Sequence, residues 1–228
     1  MSVLVTVAVL LAIGAEAPAH AMPVPPPTPP ASAGPVALGP QTPRHDRTVA
    51  LTFDDGPSRY TADILAVLRR HHVRATFCMI GDEAQRHPAL ARQVVLEGHQ
   101  VCNHTRGHLD MSRLPTRHAR REVVAAERQI RDAAGVAPKT FRFPYGSSDR
   151  HARQVVRDYG MRALGWDVDP RDWTRPAAST ITSRVVAQVR PRSVVLLHDG
   201  GGDRSRTAAS LDATIRLLQR RGYRFVLA

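Results

Sequence analysis

The sequence predicts an α/β fold: a mostly parallel sheet of about seven strands, curled into a barrel or distorted barrel with its helices outside. Three observations carry this. Short β-branched or apolar runs alternate with stretches of helical periodicity along residues 46–228. Strands separated by helices must cross over to pair in parallel, which places the helices on the faces of the sheet. About seven such units in so short a chain favour a sheet that closes, or nearly closes, over an open one.

The first strand is Thr48–Phe53 (TVALTF), a β-branched run stopped by Asp-Asp-Gly-Pro. A helix over Tyr60–His71 carries Ile64, Leu65, Val67 and Leu68 at helical spacing, and strand Ala75–Ile80 follows, ending in a turn at Gly81. Pro88–Glu97 is the second helix, halted by Gly98, and His99–Cys102 the third strand. A long helix over Arg117–Ala134 stops at Gly135, the residue best suited to a left-handed helix end. Strand Thr140–Phe143, helix Arg150–Tyr159 and strand Arg162–Trp166 come next. Helix Ser179–Val189, strand Ser193–His198, helix Leu211–Arg221 and strand Arg224–Val226 complete the series.

Residues 1–45 read differently. Val3 to Ile13 is an unbroken run of small and apolar residues. At ~1.5 Å per residue it covers about half of a ~30 Å hydrocarbon core, so a spanning helix and stable membrane insertion are not expected. Ala19-His20-Ala21 supplies a small-x-small cleavage pattern, making residues 1–21 a signal peptide and the protein secreted or associated with the cell wall. The one missing element is a basic residue ahead of the apolar run. Residues 22–45, rich in Pro, Ala and Gly, read as an extended linker, and 46–228 as the folded domain.

Charge and cysteine content exclude several classes. Lys+Arg 32 against Asp+Glu 20 gives a net charge of +12, and Lys139 is the only lysine. No compact basic tract interleaves with aromatics, so nucleic-acid binding is not expected. An arginine-biased composition and attraction to an anionic cell wall are the two readings of the excess. Two cysteines rule out a disulfide-stapled scaffold and a four-cysteine zinc site. Cys78 and Cys102 fall in consecutive strands, where a disulfide and two buried free thiols fit equally well.

In a (β/α) barrel the chemistry belongs at the C-terminal ends of the strands. Five polar clusters sit there: Thr52 to Pro57 (TFDDGP), His104 to His108 (HTRGH), Arg142 to Gly146 (RFPYG), Asp169 to Trp173 (DPRDW) and Leu196 to Asp199 (LLHD). Adjacent side chains on a strand face opposite ways, but at the turn Asp54 and Asp55 can reach one pocket. Histidines four apart are a weak signal in a chain with 11 His. Placed at a strand end beside an aspartate, they complete a three-ligand site with open positions, the layout of a hydrolytic metal.

Taken in order, these five segments resemble the five motifs of the NodB-homology polysaccharide deacetylases, carbohydrate esterase family 4, over essentially the whole of residues 46–228. The resemblance implies a distorted (β/α) barrel of the NodB-homology type. It implies that Asp55, His104 and His108 bind a divalent metal, zinc first with Co or Ni as alternatives, which activates water and polarises an acetamide carbonyl. Asp54 would be the general base, with Arg142 holding it as an oriented carboxylate. The Tyr145 backbone N–H would help hold the oxyanion. His198 would be the general acid for the departing amine, kept charged and aligned by Asp172. Trp173 and Leu196, with Tyr145, would wall the pocket for the acetyl methyl. Phe143 stands where the family often has proline, and Asp169 reads as turn support.

The activity implied is exported, metal-dependent N-deacetylation of GlcNAc-containing polymers, peptidoglycan first and chitin oligomers second, by a monomer. O-deacetylation of acetylated xylan would use the same site, and a non-catalytic wall-binding module is the reading from another class.

Overall fold

The structure, a computed structural model, describes residues 47–228; the expected signal peptide and linker lie outside the described residues. The strands are β1 (Thr48–Asp54), β2 (Thr76–Met79), β3 (Gln100–Asn103), β4 (Thr140–Phe141), β5 (Arg162–Ala163), β6 (Ser193–His198) and β7 (Arg224–Phe225). The helices are α1 (Thr61–Arg70), α2 (Gly81–Arg86), α3 (Pro88–Leu96), α4 (Thr116–Ala134), α5 (Arg150–Asp158), α6 (Ala178–Gln188) and α7 (Ser205–Arg220). Every strand pair is parallel, in the order β5-β4-β3-β2-β1-β6, with β7 paired to the first residues of β1. A parallel bridge from Val168 to Val195 returns the chain beyond β5 onto β6, so the sheet curls into a distorted (β/α) barrel.

Alternation along β1 divides the molecule into two environments. Val49, Leu51 and Phe53 face the helices and are fully buried with Ile64, Leu65 and Leu68 of α1 and Leu211, Ile215 and Leu218 of α7. Thr52 and Asp54 share the other face, and the guanidinium of buried Arg142 reaches both of them. Cys78 and Cys102 pair in register across β2 and β3 and form a disulfide, packed with Leu164 in their own small cluster. A third cluster joins Val123 of α4 and Val155 and Val156 of α5 to Phe141 and Phe143, whose rings lie 4.9 Å apart. Phe143 therefore has a packing role.

Four elements depart from expectation. Gly81 opens the short helix α2 rather than a plain turn, because its missing side chain serves packing: a Cβ there would lie 2.7 Å from the Ala126 Cα of α4. Strands β4 and β5 stop after two residues each, short of the expected Phe143 and Trp166. The carbonyls of Leu164 and Gly165 turn instead to the Arg142 guanidinium, at 3.4 and 2.9 Å. Helix α7 starts at Ser205 rather than Leu211, where Asp203 accepts from the Ser205 N–H at 2.9 Å.

Candidate metal centre and catalytic cleft

A cleft of about 660 Å³ opens at the C-terminal ends of the strands. Asp54 is the last residue of β1 and Asp55 the first beyond it. Asp55 is left-handed (φ 74°), and the break in alternation lets both carboxylates line the cleft. The turn fits closely against the loop after β6. The Asp55 carbonyl lies against Gly200, and a Cβ on Gly201 would meet Asp55 Oδ2 at 2.5 Å.

His104 follows β3 and His108 sits four residues on, in a loop bent by left-handed Thr105 and His108. The Thr105 N–H is held by Asn103 Oδ1 at 2.9 Å, and Asn103 is anchored to the Val123 carbonyl of α4 at 3.0 Å. His104 Nδ1 is 2.8 Å from the Arg142 carbonyl. A carbonyl can only accept, so Nδ1 carries the proton and Nε2 faces the carboxylates. That Nε2 lies 3.5 Å from Asp55 Oδ1 and 3.7 Å from Asp54 Oδ2, and His108 Nε2 lies 3.2 Å from Asp55 Oδ1. Ligand atoms of Asp55, His104 and His108 all fall within 4.8 Å of one another.

Two observations test whether these residues suit a cation. Asp55 Oδ1 is buried without a hydrogen-bond partner, a costly state that a cation would relieve. The electrostatics agree. Burial opposes the charged form of Asp55, yet the close approach and charge of the His104 imidazole, with His198 and His108 adding to it, hold its carboxyl well below the usual carboxylate range. Burial likewise opposes a charge on His104, and the carboxylates of Asp54 and Asp55 outweigh it, raising that imidazole. Burial lowers His108. The donor set, one carboxylate and two imidazoles, is that of a hydrolytic zinc site.

Arg142 is fully buried and tied on every side. Its Nη1 donates to Asp54 Oδ1 at 2.8 Å and to Thr52 Oγ1 at 2.7 Å. Across the cleft, His198 ends β6 and donates from Nδ1 to Asp172 Oδ1 at 2.7 Å. The other oxygen of Asp172 accepts from the His198 N–H at 2.9 Å and from Thr207 Oγ1 at 2.8 Å. Burial works against a charge on His198, but the hydrogen bond and charge of Asp172, with help from Asp54 and Asp55, push its pKa up to about 9. Asp172 lies in a one-turn helix between left-handed Arg171 and Arg175, so it points inward while Trp173 stands half exposed at the rim. Tyr145, also left-handed, is exposed opposite, its hydroxyl 3.2 Å from His108 Nδ1. Leu196 is buried in the wall.

Every catalytic, metal-ligating and pocket residue singled out from the sequence therefore gathers at one cleft, with Arg142 and Asp172 packed directly behind it. Asp169 supports its turn by accepting from the Arg171 N–H at 2.7 Å, and it also lines the cleft. Sequence reasoning assigned no role to Trp166, Asp199 or Arg204, although Asp199 closes the LLHD segment. Trp166 lines the cleft beneath the Arg142 guanidinium, 5.6 Å from ring centre to Cζ. Asp199, next to His198 in the sequence, is buried against Gly56 and accepts from Thr61 Oγ1 at 2.6 Å; burial lifts its carboxyl to about 7. Buried Arg204 holds the carbonyls of Gly200 and Gly201 at 2.6 and 3.1 Å. Adjacency to His198 was the available signal for Asp199; Arg204 carried none.

The family model described as polysaccharide deacetylase matches residues 41–164. A chitooligosaccharide deacetylase of a Bradyrhizobium species is 45% identical over 190 residues, 78% of this chain and 87% of that one. A peptidoglycan-N-acetylglucosamine deacetylase of Bacillus cereus is 36% identical over 193 residues, 82% and 88% of the two chains. Among solved structures, a family 4 carbohydrate esterase from Streptomyces lividans in complex with acetate superposes with a TM-score of 0.74 at 34% identity, covering 78% of this chain and 91% of that one. Among the described residues no helix is long and apolar enough to cross a membrane.

Proposed function

The chain belongs to the polysaccharide deacetylase family, and from that premise we propose that it is an exported, metal-dependent N-deacetylase of GlcNAc-containing polymers, peptidoglycan first and chitin oligomers second. The observation that carries the reading is the pairing of an unpartnered buried carboxylate oxygen between two imidazoles with a separate, fully bonded His–Asp pair across the same cleft.

Asp55, His104 and His108 would hold the divalent metal, zinc first with Co or Ni as alternatives; when bound it supplies Lewis acidity to the acetamide carbonyl and acidity to water. Asp54, fixed by Arg142, takes the proton of the attacking water as general base. His198, protonated at neutral pH, gives its proton to the departing amine nitrogen, and Asp172 keeps it charged and aimed. The Tyr145 N–H is read as an oxyanion donor, and Trp173 and Leu196 wall the acetyl methyl. Residues 1–21 serve as the signal peptide, 22–45 as the linker and 46–228 as the catalytic domain of a secreted or wall-associated monomer.

The test is acetate release by the full chain from peptidoglycan, chitin oligomers and acetylated xylan in parallel, with and without a chelator. Chelator-sensitive release from an N-acetylated polymer is expected. Release from xylan alone would replace the amide reading with the ester one, and none from any polymer, even after zinc or cobalt is restored, would overturn the enzyme reading.

A further inference from the structure

We propose that an arginine-lined groove on the outer side of α4 binds carboxylates carried along the same glycan strand whose acetamido sugar occupies the cleft, an inference that rests on the deacetylase reading above. The groove, about 480 Å³, is lined by Arg106, Arg120, Arg121 and Arg128, with Val124 and Tyr159 among the residues between them. Arg120, Arg121, Val124 and Arg128 share one face of α4 by helical spacing.

Charge in the groove is strongly one-sided. Glu122 is its one lining carboxylate and is already engaged, accepting from the Gly107 N–H at 2.9 Å. Arg106 pairs with Asp82 at 3.2 Å. Arg120, Arg121 and Arg128 are exposed and meet no acid and no hydrogen-bond acceptor among the described residues. Guanidinium forks match carboxylates in pairs of parallel hydrogen bonds. Val124 and Tyr159, 37% and 42% exposed, add apolar surface suited to the face of a sugar ring.

Position selects the occupant. Arg106 lies between His104 and His108, and the same loop is pinned to α4 through Gly107 and Glu122. Groove and cleft are thus two sides of one loop, so a strand seated in the cleft is placed to continue into the groove. A neutral chitin oligomer offers the groove nothing to pair with; a glycan bearing acidic side branches does.

The test uses the full chain with Asp54→Asn, so that the polymer is bound and not consumed. Arg120→Gln, Arg121→Gln and Arg128→Gln are combined, and a control combines Arg70→Gln, Arg216→Gln and Arg220→Gln, exposed residues of α1 and α7 with the same change in net charge. Binding is measured to purified peptidoglycan, to peptidoglycan with its carboxyls amidated, and to chitin, across a salt series. The groove variant is expected to bind native peptidoglycan roughly tenfold more weakly, with a shallower salt dependence, while the control stays within about twofold. Equal weakening by the two triples would reduce the effect to net charge, and equal binding of native and amidated polymer would remove the carboxylates; either result overturns the groove. Acetate release by the unmutated chain from peptidoglycan and from chitin is measured alongside. Release with no groove effect sinks this inference alone, and a groove effect with no release from any polymer sinks the deacetylase reading.

Discussion

Two regions of one cleft are built from the same residue types and are left in opposite states. Around Asp55 one carboxylate faces two imidazoles, and its Oδ1 has no hydrogen-bond partner. Around Asp172 one carboxylate faces one imidazole, and both oxygens are taken, by the His198 ring, the His198 N–H and Thr207. The first region is incomplete and calls for a cation. The second is complete and stores a proton. Aspartate and histidine do not define a role; the number of donors left for each oxygen does.

Substitutions at each side should separate the two states. His104→Ala should abolish activity and lose the metal together, whereas His198→Ala should keep stoichiometric metal and lose about 10²–10⁴-fold in kcat. Metal analysis of both purified variants decides it; full metal in His104→Ala would break the comparison. Asp54→Asn should cost a similar 10²–10⁴-fold with metal retained, since Asp54 is held by Arg142 rather than required as a ligand.

A finer probe is pH. His198 must be protonated to act as an acid, so with its pKa near 9 activity should persist to that pH and fall above it. Asp172→Asn removes the partner, and the alkaline limb of the kcat profile should move down toward the ordinary histidine value of ~6.5. An unmoved limb would detach that pKa from His198. The raised value also means that the pair's stabilisation is full below ~6.5 and lost as pH rises through about 9.

The smallest effect concerns Asp199, whose carboxyl is lifted to about 7 by burial. A raised carboxyl favours the fold below its unfolded pKa of ~3.9 and loses that advantage as pH climbs through about 7. In chelator-treated protein, Asp199→Asn should therefore raise stability at pH 8 relative to the parent by an amount on the order of 2 kcal/mol, with little change at pH 4. Denaturant melts at the two pH values measure the difference; a gain at pH 4 equal to that at pH 8 would show that charge is not its cause.

Much of this was legible in the sequence because strand ends announce themselves. The runs before Asp54 and His198 are apolar and short, and the polar clusters after them stand out against that background. What hid was whatever depends on a partner far away in the chain. Gly81 signals a turn by type, and only the approach of α4 makes it the first residue of a helix. Arg142 and Leu164 read as strand, and the fold diverts a carbonyl at each: the Arg142 carbonyl goes to the His104 ring, and those of Leu164 and Gly165 go to the Arg142 guanidinium. Arg204 carries no sequence signal that sets it apart in an arginine-rich chain, yet it is buried and holds the loop after β6.

Arg142 has two duties that inheritance treats differently. Its side chain holds Asp54, the proposed general base, so almost any codon change at position 142 reaches that carboxylate. Its backbone carbonyl fixes the His104 ring, and side-chain replacement at that position leaves the carbonyl in place. On the proposed mechanism one residue is thus a point of failure for proton abstraction and a safeguard for the His104 ring. A lineage that lost catalysis through this position could keep its metal-binding pocket and regain the chemistry by a single reversion.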